Sequence, residues 1–291
     1  MVKFAVLLRI QARLDLTGAS HPENEICITF CGLIVLNPTE PPMRTWYTKS
    51  TCARLRDGYC MDNYCIKPGY TPRTEAPTLV GDIREYWDNE RQLAANSFQW
   101  PVYSAAARYL AESGKQSFVD VGCGYPAKIA ALIAPVTGDI TLIDQPSMAT
   151  LMAGEFPDFH FIPHNLESTA DDIEVTADCV VCADVIEHLM NPRPLIALLR
   201  QLLKPGARLF ISTPERDKVR GTHCNFSPNP EHVREWNQQE FHALLSSSGL
   251  RVLEHVCLPQ KRTAKYLPIG LLGTLRPAQY LGCQLAICEL A

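Results

Sequence analysis

The sequence predicts an α/β protein built on a doubly wound, mostly parallel sheet of seven strands. Three observations carry this. From Trp100 onward, short apolar runs alternate with segments of helical periodicity, the pattern of a parallel sheet with helices on both faces. Asp178 to Ala183 is an almost unbroken apolar run, as expected of a strand covered on both sides. Val119-Asp-Val-Gly-Cys-Gly-Tyr-Pro-Ala127 places a glycine turn between a strand and a helix.

The elements follow in order. Pro101 to Ser113 predicts a helix, with apolar residues at Val102, Ala106, Tyr109 and Leu110 and a stop at Gly114. Ser117 to Val121 is a strand. Pro126 to Ile133 is a helix that opens on proline, which is tolerated in a first turn. Asp139 to Ile143 is a strand, Pro146 to Glu155 a helix, and Phe159 to Pro163 and Asp178 to Ala183 are strands. Pro194 to Leu203 is a helix ended by Lys204-Pro205-Gly206, and Ala207 to Ser212 is the next strand. Gln238 to Ser248 is a helix ended by Gly249, and Arg251 to Leu258 and Gln284 to Leu290 are the last strands. No full helix is legible between these two, so the final strand is expected to insert antiparallel. Residues 259–282 read as an insertion that shapes a substrate pocket, with Lys261, Arg262 and Lys265 on a solvated face.

Residues 1–95 are irregular. Prolines, glycines and cysteines crowd the stretch from Asn37 to Pro77, a signal of turns. This part is expected to be an N-terminal extension of unreadable role, with residues 96–291 forming the α/β domain.

Composition bounds the function. The chain has 291 residues, 46% hydrophobic and 20% charged, with a formal net charge of −4. Such a chain can bury a core throughout. It shows no basic stripe, so no nucleic-acid partner is expected. No apolar run is long enough to span a bilayer. The first residues carry Arg9 and Arg13 but no cleavage signal; an ordinary terminus and a cytoplasmic location are expected, with an organellar transit segment as the alternative. The 12 cysteines are scattered, several within apolar runs, the distribution of buried free thiols. Cys27 with Cys31, and Cys60 with Cys65, form an alternative zinc set of loose spacing.

The glycine turn is a ligand-binding device. Gly122 and Gly124 lack a Cβ and let the backbone approach a ligand, and the helix that follows presents its amide end. Asp144 ends the next strand about twenty residues on, where a carboxylate grips ribose hydroxyls. This pattern also fits a dinucleotide fingerprint. Asp120 favours a cationic amino-acid ligand over a pyrophosphate, which it would repel.

The turn resembles motif I of the class I S-adenosylmethionine-dependent methyltransferases, a Rossmann-like family, and the likeness covers residues 100–258. The resemblance implies that Asp120, Gly122, Cys123 and Gly124 surround the methionine part of S-adenosyl-L-methionine. It places Asp144 and Gln145 at the ribose, Asn165 and Leu166 at the adenine, and Ala183 at the end of the fourth strand. Asn165 stands where an Asp is usual, and Pro126 where a third glycine is common.

After that strand comes Ala183-Asp-Val-Ile-Glu-His-Leu189. A helix starting at Asp184 would put residues 184, 187 and 188 on one face. Pro230-Glu-His-Val-Arg-Glu-Trp236 supplies His232. The set Asp184, Glu187, His188 and His232 resembles the metal site of small-RNA 2′-O-methyltransferases, and in part the ubiquinone-biosynthesis O-methyltransferases. Its donors suit Mg²⁺, Mn²⁺, Fe²⁺ or Zn²⁺. Bringing a water-like hydroxyl from a pKa of ~15.7 to ~7 is worth roughly 12 kcal/mol, whereas one general base supplies about 3–5 kcal/mol. An aliphatic hydroxyl therefore argues for metal help; a phenol manages with His188 or His232 as the catalytic base. Glu215 and Arg216, after the fifth strand, are expected to touch either substrate or solvent, and Tyr103 to be a core aromatic or to face the cofactor. The expected activity is O-methylation of a small-molecule or glycan hydroxyl. A nicotinamide-dependent oxidoreductase (NAD as cofactor) and a non-catalytic scaffold are the alternatives.

Overall fold

The computed structural model describes residues 63–75, 86–262 and 273–291, all within one compact unit, Ala53–Ala291. The cysteines at 27, 31, 52 and 60 lie outside the described residues, as do Arg9, Arg13 and Lys265.

Seven strands form one sheet in the order β3-β2-β1-β4-β5-β7-β6. They are β1 (Ser117–Val121), β2 (Asp139–Asp144), β3 (His160–Pro163), β4 (Ala177–Ala183), β5 (Leu203–Pro214), β6 (Leu250–Leu258) and β7 (Cys283–Leu290). Strands β1 to β5 run parallel. β7 lies antiparallel between β5 and β6, as the missing crossover helix requires. The described helices are α1 (Asn89–Ala95), α2 (Trp100–Ser113), α3 (Ala149–Glu155), α4 (Arg193–Gln201), α5 (Arg216–Val219), α6 (Gln238–Ser247) and α7 (Pro277–Tyr280).

Alternation along the buried strands builds two apolar layers. Val119, Val121, Val180 and Cys182 face one layer with Leu195, Leu199, Phe241 and Leu245 of α4 and α6. Phe118, Leu142, Cys179 and Val181 face the other with Val102, Ala106 and Leu110 of α2. α2 ends at Gly114 in the left-handed region, and a capping box between Asn237 and Glu240 starts α6.

Four local expectations change. The segment over 126–133 winds into a π-helical turn, Ile129–Ile133, closed by the Ala134 N–H on the Ile129 carbonyl at 2.9 Å. Turns of this width concentrate at functional sites. Lys204-Pro205-Gly206 does not simply stop a helix. It forms an irregularity inside β5, between the pairs Ala177↔Leu203 and Cys179↔Arg208. No helix begins at Asp184, because its N–H still bonds to the Ser212 carbonyl across the sheet at 3.1 Å. Its backbone turns left-handed (φ 54°), and a short 3₁₀ turn, Ile186–His188, follows. Finally, Cys65 is disulfide-bonded, whereas Cys123, Cys179, Cys182, Cys224, Cys257, Cys283 and Cys288 are free thiols as expected.

At the amino ends of β1 and β4, away from the glycine turn, Asp178 accepts from the Ser117 hydroxyl at 2.6 Å and lies beside Lys204. The Ser117 bond and the nearby ammonium, opposed by burial, hold its carboxyl down at about 2. The stabilisation is complete above the ordinary carboxylate range and is lost as pH falls through about 2. Asp178→Asn should lower Tm at pH 7 and narrow its gap from wild type below pH 3, read by thermal melts across pH.

Candidate cofactor loop and polar cluster

At the glycine turn both backbones are left-handed, Gly122 at φ 75° and Gly124 at φ 53°. A side chain at 122 would put its Cβ 2.5 Å from Val185. At 124 the Trp87 indole stands 3.0 Å from that position. The Gly124 N–H donates to Asp144 Oδ2 at 2.8 Å, and the Gln145 N–H to Oδ1 at 2.7 Å. Cys123 Sγ leans on the same carboxylate at 3.7 Å. Burial raises the Asp144 carboxyl, and these backbone donors oppose the rise. Asp144, expected to grip a ribose, is thus locked to the glycine turn, with both oxygens accepting backbone N–H groups.

Asp120 is fully buried and accepts from the Tyr103 hydroxyl at 2.8 Å, while its Oδ1 has no partner. Burial pushes its carboxyl up to about 7, against the Tyr103 bond and the Lys128 charge. Lys128, also buried, is pushed down to about 8 by desolvation. Its ammonium bonds to the Ala95 carbonyl at 2.7 Å and lies 5.2 Å from the centre of the Tyr103 ring. Tyr103 is therefore a core aromatic with a polar task. Asn165 spends its side-chain oxygen on the Glu167 N–H at 3.1 Å. Its neighbour His164 is buried with Nε2 unpartnered. Leu166 and Ala183 are buried apolar neighbours.

The second group forms where the turn after β4 meets the loop before α6. Glu187, His188 and His232 each bring one potential ligand atom within 4.8 Å of the others. The two imidazoles meet edge to face, centroids 4.8 Å apart. Both rings are already engaged through Nδ1. His188 Nδ1 bonds to the Glu231 carbonyl at 2.8 Å, and His232 Nδ1 to Glu235 Oε1 at 2.6 Å. A carbonyl only accepts, so His188 Nδ1 carries the proton and Nε2 the lone pair. The Glu235 carboxylate likewise accepts, so His232 Nδ1 carries a proton as well. Despite desolvation, bonds from His232, Arg220 and Ser227 hold the Glu235 carboxyl down to about 2, so it is an acceptor at neutral pH. Burial, with the neighbouring His232, lowers the His188 pKa and keeps that ring neutral. Glu187 is fully buried; one oxygen accepts from Thr213 at 3.0 Å and the other, Oε1, has no partner. Burial, then the Asp184 charge, drives its carboxyl well above the ordinary range.

Asp184 does not join this cluster. Its left-handed backbone delivers the carboxylate to Ser212 Oγ at 2.7 Å and Gln99 Nε2 at 3.1 Å. Glu215 and Arg216 do not face bulk solvent: both are buried, Glu215 capping α5 and Arg216 paired with Glu240. Lys261 and Arg262 lie over the rings of Phe98 and Trp100. Sequence reasoning missed Trp87, which sits in the part that could not be read; Lys128, which a helical-face argument would expose; and Glu235. The His232-x-x-Glu235 spacing was the available signal for the last.

Among the described residues, four buried side-chain polar atoms lack a partner: Asp120 Oδ1, His164 Nε2, Glu187 Oε1 and Arg234 Nε. The first three lie at the carboxyl ends of β1, β3 and β4. That is where open α/β sheets bind ligands.

A family profile described as a methyltransferase domain matches residues 91–255. The chain belongs to this methyltransferase family, whose members take S-adenosylmethionine as methyl donor, and the dinucleotide alternative falls away. The chain is 33% identical over 106 residues to a ubiquinone biosynthesis O-methyltransferase of Dechloromonas aromatica, covering 34% of this chain and 44% of that protein. It is 30% identical over 193 residues to a protein of Mycolicibacterium smegmatis named "Probable S-adenosylmethionine-dependent methyltransferase", covering 64% of this chain and 67% of the other. The match to the ubiquinone enzyme thus spans less than half of that relative. A crystal structure of an S-adenosylmethionine-dependent methyltransferase from Clostridium acetobutylicum shares the fold, with a TM-score of 0.52, 11% identity, and coverage of 72% of this chain and 98% of that one.

Gly122→Ala combines a left-handed backbone with a clash against Val185. It should cost about 1–3 kcal/mol of stability and weaken S-adenosylhomocysteine binding at least tenfold, read by denaturant titration and calorimetry.

Proposed function

We propose that this chain transfers the methyl group of S-adenosylmethionine to a hydroxyl of a small molecule or glycan, assisted by a divalent cation at Glu187, His188 and His232. The three unpartnered atoms at the ends of β1, β3 and β4 carry the reading. Residues at the glycine turn, Asp144, Asn165 and Leu166 hold the donor, with Asp120 and Lys128 of opposite charge at its amino-acid end.

The chemistry of the donor set supports the cation. Two imidazoles with free Nε2 atoms and one carboxylate form a set that binds Mn²⁺, Fe²⁺ or Zn²⁺, and the buried Glu187 oxygen lacks any other compensation. Such an ion would supply Lewis acidity to the acceptor hydroxyl. The protein's own part is orientation: Glu235 and the Glu231 carbonyl fix the two rings, and Thr213 fixes Glu187. The named O-methyltransferase relative supports an oxygen acceptor, and the net charge of −4 disfavours a polyanionic one. The domain carrying this activity is read as residues 96–291, with the earlier residues as an extension.

Glu187→Gln should abolish metal retention, measured by elemental analysis, and cut kcat at least about 100-fold, while S-adenosylhomocysteine affinity stays within threefold of wild type. Full activity in metal-free protein would overturn the cation and leave the methyltransferase.

Donor affinity should also depend on pH. Asp120 is ionised only above about 7 and Lys128 charged only below about 8. S-adenosylhomocysteine should bind tightest between these values and weaken by up to about tenfold per pH unit below them. Asp120→Asn should bind more weakly and lose the acid limb in a calorimetric pH series.

A further inference from the structure

Residues 63–75 precede the part of the chain that matches the family, residues 91–255, yet they lace the loop that carries His232. Trp236 Nε1 donates to the Tyr64 carbonyl at 2.8 Å, and the Glu235 N–H to the Tyr70 hydroxyl at 2.9 Å. The Thr71 N–H bonds to the Asn225 carbonyl at 2.7 Å and the Arg73 N–H to the Val233 carbonyl at 2.9 Å. The exposed Arg73 guanidinium then bridges several carbonyls of the loop. Nε donates to the His232 carbonyl and Nη2 to the Asn229 carbonyl, both at 3.1 Å, with the Ser227 carbonyl at 3.5 Å. Ile66 and Tyr70 are buried in the layer that holds Trp236 and Phe241, and the Lys67 N–H donates to Glu240 Oε1 at 3.0 Å, so the segment is anchored on α6 as well as on the loop.

We infer that residues 63–75 act as a strap that sets the position of the His232 imidazole against Glu187 and His188, with Arg73 and Tyr70 as its positioning residues. The loop from Asn225 to Trp236 has no helix or sheet ladder of its own beyond one bridge, Glu215↔Trp236. On its far side it is tied to the Glu187 carbonyl through the Val233 and Arg234 N–H groups, at 2.8 and 3.3 Å. Arg216, Arg220 and Gln284 hold Glu235 and Trp236, and among the described residues the strap alone bonds the His232 carbonyl. The Tyr70 bond fixes the backbone of Glu235, and with it the carboxylate that orients His232. The Arg73 bonds fix the backbone of His232 itself. Bonds to the backbone of His232 and Glu235 help keep the ring within the fraction of an ångström that a preformed site requires.

The cobalt arm of the test rests on the proposed cation site; the second arm does not. Cobalt(II) binding is followed by visible absorption for wild type, Tyr70→Phe, Arg73→Ala, Arg73→Lys and Lys67→Met. Lys67 belongs to the same segment, but its ammonium ties the Thr222 carbonyl instead. Tyr70→Phe and Arg73→Ala should weaken cobalt binding about 10- to 100-fold. Arg73→Lys should recover part of the loss, and Lys67→Met should match wild type. S-adenosylhomocysteine affinity should stay unchanged in all, showing an intact fold and donor site. Cobalt affinity within twofold of wild type in both strap variants overturns the inference. If wild type itself takes up no cobalt, the cation reading fails and the strap is judged by imidazole ¹⁵N shifts. His232 should show one tautomer, Nδ1–H, in wild type and a mixture in Arg73→Ala. An unchanged His232 pattern overturns the strap.

Discussion

The polar cluster depends on one carbonyl. The Glu187 oxygen receives the N–H groups of Val233 and Arg234, and these bonds join the turn after β4 to a loop more than forty residues later in the chain. The Arg234 guanidinium reinforces the junction by donating to the Leu189 and Met190 carbonyls, so His188 and His232 no longer belong to separate pieces of irregular structure. With it, His188 can bond to the Glu231 carbonyl, and both rings present the same nitrogen inward. Backbone pairing is a cheap way to align side chains, because each N–H must find an acceptor in any case.

The electrostatics of the two sites differ in kind. At the donor loop, opposite charges are buried near each other: Asp120 is raised toward neutrality and Lys128 lowered toward it. Both sit close to the point of changing charge. At the cluster, one charge is fully settled and another is not. Glu235 is ionised and surrounded by Arg220, Ser227 and His232. Glu187 has a single neutral donor and a second oxygen with none. A buried carboxylate in that state is costly unless a cation or a proton accompanies it.

Much of the fold was legible because periodicity reports burial on both faces of a strand, and β1, β2 and β4 are apolar enough to show it. The glycine turn and Asp144 were legible because few residue types permit that geometry. The path of the chain at Asp184 was not. An Asp at the end of a strand reads equally well as a helix start, and only the pairing of its N–H with Ser212 decides. Glu215 and Arg216 misled for a related reason. Charged residues after a strand suggest a pocket edge, yet here they are consumed by a helix cap and by Glu240. The contribution of residues 63–75 was invisible because the Tyr70 hydroxyl and the Arg73 guanidinium bond to backbone groups of the loop, which carry no sequence signature.

The placement of β7 has a consequence for how the molecule is made. β6 has no neighbour in the sheet except β7, which is translated after it. During vectorial synthesis β6 must therefore wait as an unpaired ribbon, while β5 offers an open edge beside it. Such edges attract wrong partners. The right-hand third of the sheet closes only when its last ribbon is threaded between two that already exist. That order of events leaves two strand edges at this end of the domain open until β7 arrives.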